Sequence, residues 1–563
     1  MARIFFPLLL LTAVIVFTFA DTTKNQFVNW DDQSEITENV HFNPVTLAGL
    51  QWNWSNTQLS LYMPITYMVW GGVAEFAHRE NGQLQPKAFH VLNLCLHLIC
   101  IMLVFGLIIQ LWKCILPALI GALVFAVHPL QVEPVAWASG MYTLLSTAFS
   151  LAAIIAYVAA VSSRPKASLY WLATLFYILA LLSKAASVSV PLAAMVIDVL
   201  ILRRPLRKSF WSLVLWLLLG IPIVLIATHF QDVSVIAVHP IWTRPIVALD
   251  ATGFYLRKII LPTHLIPDYG RNPNWVILHP MPVMASVATA IAALLLAYSA
   301  RRNAAWVTAG LGFLLAGVLP YLGLTAFDFQ YVSTVADRYA YFGMAGVALL
   351  AAGAVARSRW ALAGLVIAIA VWVPISRSQV QQWHDTRSLF SHTLKVNPQS
   401  LVSHNVFGFL AAQDGDFSKA GTEYKAGLKI WPEDTTIHFN LANLYLRHRA
   451  KNAIEQRQLF DDALEHYGLA VKFQPRNVQY RNGLAAALAQ SGHSQEAYLQ
   501  WRQVLAQDPA YTDAHNNLAD LLVNVGRLDE AKSEYLAALR TDPKNQHATD
   551  RLKQLVKPTT MPQ

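Results

Sequence analysis

HVLNLCLHLICIMLVFGLIIQLW, residues 90–112, runs for 23 residues without one Asp, Glu, Lys or Arg. A helix of roughly 20 apolar residues crosses a hydrocarbon core about 30 Å thick, so this stretch reads as a membrane span. Comparable runs begin near Ile4, Ile115, Gly140, Ser168, Ala186, Phe210, Met281, Ala304, Tyr339 and Trp360, which makes eleven spans in all. The composition points the same way: 55% of the 563 residues are apolar and 13% charged, against roughly 25% charged in an average soluble domain. Charge is also uneven, with 21 Lys+Arg and 14 Asp+Glu up to Ser376 and 21 and 19 in the last 187 residues. Two domains in two solvents follow.

The segment Ile246–Leu261 is apolar but carries Asp250 and the pair Arg257-Lys258, each costly at the bilayer centre, so it reads as interfacial or re-entrant. Eleven crossings then group Arg3, Lys113, Arg164, Lys166, Arg203 to Lys208, Arg301-Arg302, Arg357 and Arg359 in one set of short loops, twelve basic residues with no acid. The Lys/Arg bias assigns that set to the cytoplasm. Thirteen of the fourteen acids of this half, all but Asp198, fall on the other side. The net charge of +9 is therefore explained by topology rather than by nucleic acid. Ile4–Ala20 has features of a secretory signal but is read as a retained helix, leaving an external loop over 21–88. Cys95, Cys100 and Cys114 lie in or beside one span and have no metal-type spacing.

After the last span, prolines recur at 398, 432, 475, 509 and 543, with spacings of 34, 43, 34 and 34 residues. Thirty-four is the period of the tetratricopeptide repeat (TPR), and the 43 is one repeat with nine extra residues, placed by its polar, basic character at Arg447–Leu459. Small residues at Ala420, Ala463, Ala497 and Ala531 with aromatics four positions on suit paired helices that bury their faces only by stacking on the next pair. The expected architecture is all-α: a polytopic membrane bundle over 1–376, a linker over 377–397, and a TPR solenoid over 398–563 of about four repeats and a capping helix. Its concave face suits a peptide or protein; a rigid spacer is the plainer alternative.

Chemistry-bearing residues gather where span ends meet the outer surface. Asp31 and Asp32 follow the first span in NWDDQSEITEN; adjacent, partly desolvated carboxylates repel, and one is raised toward the range of a general base. A solvated turn is the structural alternative. His128 and Glu133 stand in HPLQVEPVAW, Lys184 in ALLSKAAS and Arg338 in VADRYAY. The cations suit a lipid phosphate, although snorkelling to ordinary head groups would also place them there. Trp30, Trp52, Trp54, Tyr62, Tyr67 and Trp70 crowd the external loop and are read as an interfacial belt.

These pieces, in the order FVNWDDQSEITEN, HPLQVEPVAW, ALLSKAASVSVPLAAMVIDVLILRRP, FYLRKIILPTHLIPDYG, ADRYAYFGMAG and then the repeats, resemble the GT-C membrane glycosyltransferases, specifically the transmembrane and TPR-containing protein O-mannosyltransferases and their bacterial relatives. The resemblance implies transfer of a hexose from a polyprenyl-phosphate carrier, with inversion, to an acceptor hydroxyl at the outer face, in a bacterial setting the periplasmic side of the inner membrane. It implies a catalytic acid at Asp31-Asp32, phosphate binding by Arg338 and Lys184, and orientation of the site by His128 with Glu133. Partners would be a lipid-linked sugar and an acceptor protein or peptide held by the repeats. One departure stands out: where bacterial relatives show a charged stretch after HPLQVEPVAW, this chain has Gly140-Met141-Tyr142-Thr143. A divalent metal stays open, since the adjacent acids lack a clear ligand set. The rival readings are a non-catalytic membrane-anchored TPR scaffold for envelope assembly and, last, a transporter, which needs polar residues deep in the spans.

Overall fold

Proline, glycine and lysine cut the apolar runs into helices of unequal length. The computed structural model describes residues 2–39, 41–42, 44–162, 166–230 and 240–556; Arg164, counted above among the cytoplasmic cations, lies outside them. The chain divides into two compact units, Met1–Pro398 and Gln399–Gln563.

The first unit is helical: α1 (Ala2–Phe19), α2 (Leu47–Ser55) and α3 (Pro64–Phe76) in the external loop, α4 (Lys87–Trp112), α5 (Ile115–Val127), α6 (Val132–Ala136), α7 (Met141–Val161), α8 (Ala167–Ser183), α9 (Val190–Leu200), α10 (Leu206–Phe230), α11 (Arg244–Ile260), α12 (Pro273–Leu278), α13 (Pro280–Ala300), α14 (Ala305–Val318), α15 (Asp337–Ala340), α16 (Met344–Val355), α17 (Arg359–Gln382) and α18 (Thr386–Val396). A two-residue hairpin, Arg79–Glu80 with Gln83–Leu84, is the sheet among the described residues.

The expectation of eleven full-length spans is corrected. Among the described residues six helices are long and apolar enough to cross a membrane, seven if the pair α5–α6, bent by 58°, counts as one, while Ala167–Ser183, Ala185–Leu200, Ala305–Tyr321 and Met344–Val355 are apolar but shorter. The shortening has local causes. Pro129 ends α5 and Pro191 opens α9 after a 3-10 turn, while the expected tenth span is interrupted between α15 and α16. Each break leaves irregular backbone that is buried within protein rather than facing lipid. The exceptional acid Asp198 is buried and paired with Arg204 at 2.8 Å and with the Tyr157 hydroxyl at 2.8 Å. Helix α11 carries the buried Asp250, ion-paired with Arg271, and is absent from the helices apolar enough to span.

Burial orders the bundle. The span containing α7 is 72% buried and the one containing α17 only 6%, so α7 runs through the protein interior and α17 faces outward. Residues 377–397, expected as a linker, are instead helical and packed on the first unit: His384 O accepts from Gln26 N at 2.8 Å, Thr386 Oγ1 from Asn29 N at 2.9 Å, and Phe390 stacks on Trp30 at 5.6 Å. The expected aromatic belt is likewise revised, because Tyr67 and Trp70 are fully buried and Trp30 is taken up by this stack.

The second unit consists of paired helices, α19 (Leu401–Gln413) with α20 (Phe417–Ile430), α21 (Thr435–Arg447) with α22 (Ala453–Phe473), α23 (Val478–Gln490) with α24 (Ser494–Gln507), and α25 (Thr512–Asn524) with α26 (Leu528–Thr541), then α27 (Gln546–Val556). Side-chain caps from Asp416, Asp434, Asn452 and Asn477 start four of them. Of the nine extra residues, two lengthen the turn (448–452 against 414–416) and seven lengthen α22, which has 21 residues against 14 in α20. The insertion is thus mostly helix, not loop.

Candidate functional site

The chain leaving α1 makes a 3-10 turn (Ala20–Lys24), reaches Trp30-Asp31-Asp32, and enters one π-helical turn, Gln33–Thr37, a form often found at functional sites. Asp32 is fully buried. Its Oδ2 accepts from Val28 N at 2.8 Å and its Oδ1 from Ser139 N at 2.9 Å and Ser139 Oγ at 2.6 Å. Ser139 lies in the 3-10 turn Ala138–Gly140 that feeds α7, so this carboxylate ties the 21–88 loop to the most buried of the long apolar helices. Gly140 is required there: a Cβ would come within 2.4 Å of Pro134 O.

Asp31 is half-buried and makes no hydrogen bond through its carboxylate among the described residues. Burial pushes its pKa up to about 7, opposed by the Arg338 charge and helped by Asp32 and Asp328. Asp32 is raised less, to about 6, because its hydrogen bonds to Ser139 and Val28 oppose the burial. Glu35 is buried beside them, its Oε2 without a partner, and burial with the charges of Asp31 and Asp32 holds it well above the usual carboxylate range.

Arg338, at the start of α15, is buried and ion-paired with the buried Glu133 of α6, whose Oε2 also accepts from Arg338 N at 3.1 Å. Phe329, Tyr339, Trp137 and Trp30 surround the guanidinium, their ring centres 4.5, 4.8, 5.5 and 5.9 Å away. Lys184 stands in the break after α8; its Nζ donates to Thr143 Oγ1 at 2.9 Å and lies 4.6 Å from the Tyr142 ring and 5.2 Å from that of Tyr321. Lys184 and Arg338 line one cleft with Thr143, Ser146, Thr147 and Ser187.

Five of the six expected residues therefore fall into one connected region: Asp31 and Asp32 on the loop, Glu133 with Arg338 beneath it, and Lys184 across the cleft. His128 does not join them. Its Nε2 meets Ile259 O at 2.9 Å, its Nδ1 caps Leu130 N at 3.3 Å, and its ring sits 4.6 Å from that of Trp372. Pro129 turns the chain at this point, and the imidazole holds the bend rather than the site. Nor do the adjacent acids complete a metal site: no three His, Cys, Asp or Glu groups among the described residues are placed to hold an ion.

A tetratricopeptide-repeat family profile matches residues 501–555. Over 86% of its length the chain is 23% identical to human protein O-mannosyl-transferase TMTC3. The chain therefore carries TPRs and is similar in sequence to proteins named as O-mannosyl-transferases. It spans about three fifths of that relative, 59% of its length. A second human relative, protein O-mannosyl-transferase TMTC4, is 27% identical over 35% of this chain and 30% of its own. Among solved structures, a thermophilic TPR protein of Thermus thermophilus is similar with a TM-score of 0.28 and 23% identity, covering 32% of this chain and 92% of that one.

The site also draws on residues that the sequence alone did not single out. Ser139 gave no signal beyond its place after HPLQVEPVAW. Tyr142 and Thr143 were noted only as a departure, yet they hold Lys184. Glu35 sits in the quoted loop motif, but a carboxyl three residues after a pair of aspartates reads as an exposed turn until its burial is seen.

Proposed function

We propose that the chain is a membrane glycosyltransferase that moves a hexose, mannose-like by its relatives, from a polyprenyl-phosphate carrier to an acceptor hydroxyl. Residues 1–376 would carry the catalysis and 398–563 would bring the acceptor, a protein or peptide, to it. The observation that carries this reading is the free, half-buried Asp31 carboxylate beside a pinned Asp32, in a region that also holds a cationic cleft. Asp31 takes the acceptor proton as general base. The acceptor oxygen bonds to the anomeric carbon with inversion while the bond from that carbon to the phosphate oxygen breaks, and the carrier phosphate leaves with the electron pair. Lys184 meets the charge that develops there. Arg338, neutralised by Glu133, acts less as a second anchor than as the fixed charge that favours ionised Asp31. Asp32 positions the loop. The Lys/Arg bias of the loops supports a reaction at the outer face, the periplasmic side in a bacterium.

Purified protein in lipid, given radiolabelled polyprenyl-phosphate mannose and a membrane extract, tests this. Wild type is expected to transfer label, Asp31→Asn to lose it by at least about a hundredfold, the lower range for a general base, and Asp31→Glu to retain part. Equal transfer by wild type and Asp31→Asn, or none with mannose or glucose donors, would move the reading to the TPR scaffold.

A further inference from the structure

Lys184 is held in an unusual way for a half-buried cation. No carboxylate ion-pairs with it among the described residues; its seat is one hydroxyl, Thr143 Oγ1, and three ring faces, Tyr142, Tyr321 and, at 5.9 Å, Tyr339. Tyr321 is itself fixed by stacking on Tyr339 with ring centres 4.0 Å apart. Thr143 opens a line of buried hydroxyl residues on α7, continued by Ser146, Thr147 and Ser150, which repeats at the i, i+3, i+4, i+7 spacing of one helix face and forms a wall of the cleft. The hydroxyls of Ser146 and Ser150 turn back to Thr143 O at 3.1 Å and Ser146 O at 2.6 Å, leaving Thr143 to meet the ammonium.

We infer that Thr143, backed by the rings of Tyr142 and Tyr321, is a positioning residue that aims the Lys184 ammonium into the cleft as the hook for the phosphoryl group of the lipid carrier; this rests on the reading of the cleft as a carrier-phosphate site. A lysine stem is rich in rotamer entropy, and a hydroxyl with flanking rings removes much of it in advance. Ring faces attract the charged form without cancelling it, whereas a carboxylate would compete with an incoming anion. One of three N–H donors is spent on Thr143, so two stay for the ligand. Burial, with Arg338 nearby, also holds the amine well below its ordinary pKa, and a bound anion opposes that shift. This gives the stretch Gly140–Thr143 a purpose: it supplies a neutral seat for one cation.

The test uses full-length protein in lipid nanodiscs and sugar-free polyprenyl phosphate as the probe, so it does not depend on sugar transfer. Thr143→Val keeps the shape and removes the acceptor; it is expected to weaken binding about tenfold, the scale of one hydrogen bond to a charged group, and Thr143→Ser to restore it to within about twofold. Tyr321→Leu should weaken binding severalfold and Tyr321→Phe should not, which separates the ring from the hydroxyl if Thr143→Val folds poorly. Calorimetry should show binding by wild type that Lys184→Met abolishes. Inorganic phosphate and phosphatidylglycerol should not displace the probe. Unchanged binding by Thr143→Val and Tyr321→Leu, failed rescue by Thr143→Ser, no binding by wild type, or displacement by phosphatidylglycerol would each overturn the inference. Binding that follows these variants with no sugar turnover would instead leave it standing and overturn the transferase reading.

Discussion

Asp31 and Asp32 are adjacent in the chain and opposite in circumstance. Asp32 accepts three hydrogen bonds and has no capacity left toward a substrate on the side those donors occupy; Asp31 has none and keeps a carboxylate that can gain and lose a proton near neutrality. The sequence pointed to the pair, because two acids at a membrane boundary are conspicuous, but could not divide the roles. The division depends on Ser139, which lies 107 residues away in the chain. A consequence for pH follows from the direction of the shift. A carboxyl whose folded pKa is raised from 3.8 to about 7 favours folding when protonated, so its contribution is present below about pH 4 and is lost as pH rises through 7. Asp31→Asn should therefore raise the melting temperature relative to wild type at pH 8 and leave it nearly unchanged at pH 4, while turnover by wild type climbs with pH to a limb near 7. A thermal shift series on both proteins across that range checks it, and an Asp31→Asn protein less stable than wild type at pH 8 would contradict the assignment.

Each TPR hairpin carries a rung at one equivalent position between its helices: His404 with Glu423 at 2.8 Å, Arg481 with Gln500 at 2.8 Å, His515 with Glu534 at 2.6 Å, and in the second hairpin His438 with His466, Nδ1 to Nδ1, at 2.8 Å. The partners lie 19, 19, 19 and 28 residues apart, the last being 19 plus the nine-residue insertion. Proline spacing revealed the repeat and the size of the insertion. It could not show that seven of those residues extend α22, since the polar stretch 447–459 is compatible with loop or exposed helix alike. The rung of the second hairpin behaves differently toward acid. Burial lowers both His438 and His466, and the charges of His438 and Lys425 lower His466 further; Glu465 opposes the shift on both and Asp462 on His466. His515 is raised by Glu534. A lowered histidine contributes stability above its ordinary pKa of about 6.5 and loses it as pH falls, while His515 gains on the same descent. Hydrogen exchange on the full chain, corrected for the intrinsic pH dependence, should show α21 and α22 losing protection between about pH 7.5 and 5.5, the range around the ordinary histidine pKa, while α25 and α26 do not. His466→Glu, which rebuilds the rung of the first and fourth hairpins, should remove the difference; persistence of the loss in that variant would exclude the pair as its cause.

At the scale of the whole chain, hydropathy located every apolar helix but overstated their lengths, because a window average does not register that Pro129, Pro191 and the interruption before α16 divide a run. Those interruptions are where the cleft and its charged groups lie, so the misjudged spans and the candidate site have one cause: helices that stop inside the protein expose backbone and polar side chains to one another instead of to lipid. The sidedness of the site then rests on the distribution of Lys and Arg, and it can be read with thiols. Cys114, exposed in the short connection between α4 and α5 next to Lys113, lies in the basic set that the Lys/Arg bias predicts to be cytoplasmic. Cys95 lies along α4 and, facing lipid, should resist a membrane-impermeant maleimide. In right-side-out vesicles the reagent is expected to spare Cys114 until the membrane is permeabilised, while Ser55→Cys in the external loop and Ser418→Cys at the start of α20 label at once. Labelling of Cys114 together with Ser55→Cys would invert the first loops and remove the outer-face reaction. Labelling of Ser55→Cys without Ser418→Cys would put the loop and the repeats on opposite sides, so that the TPR unit could not hand an acceptor to Asp31, whatever the chemistry of the cleft.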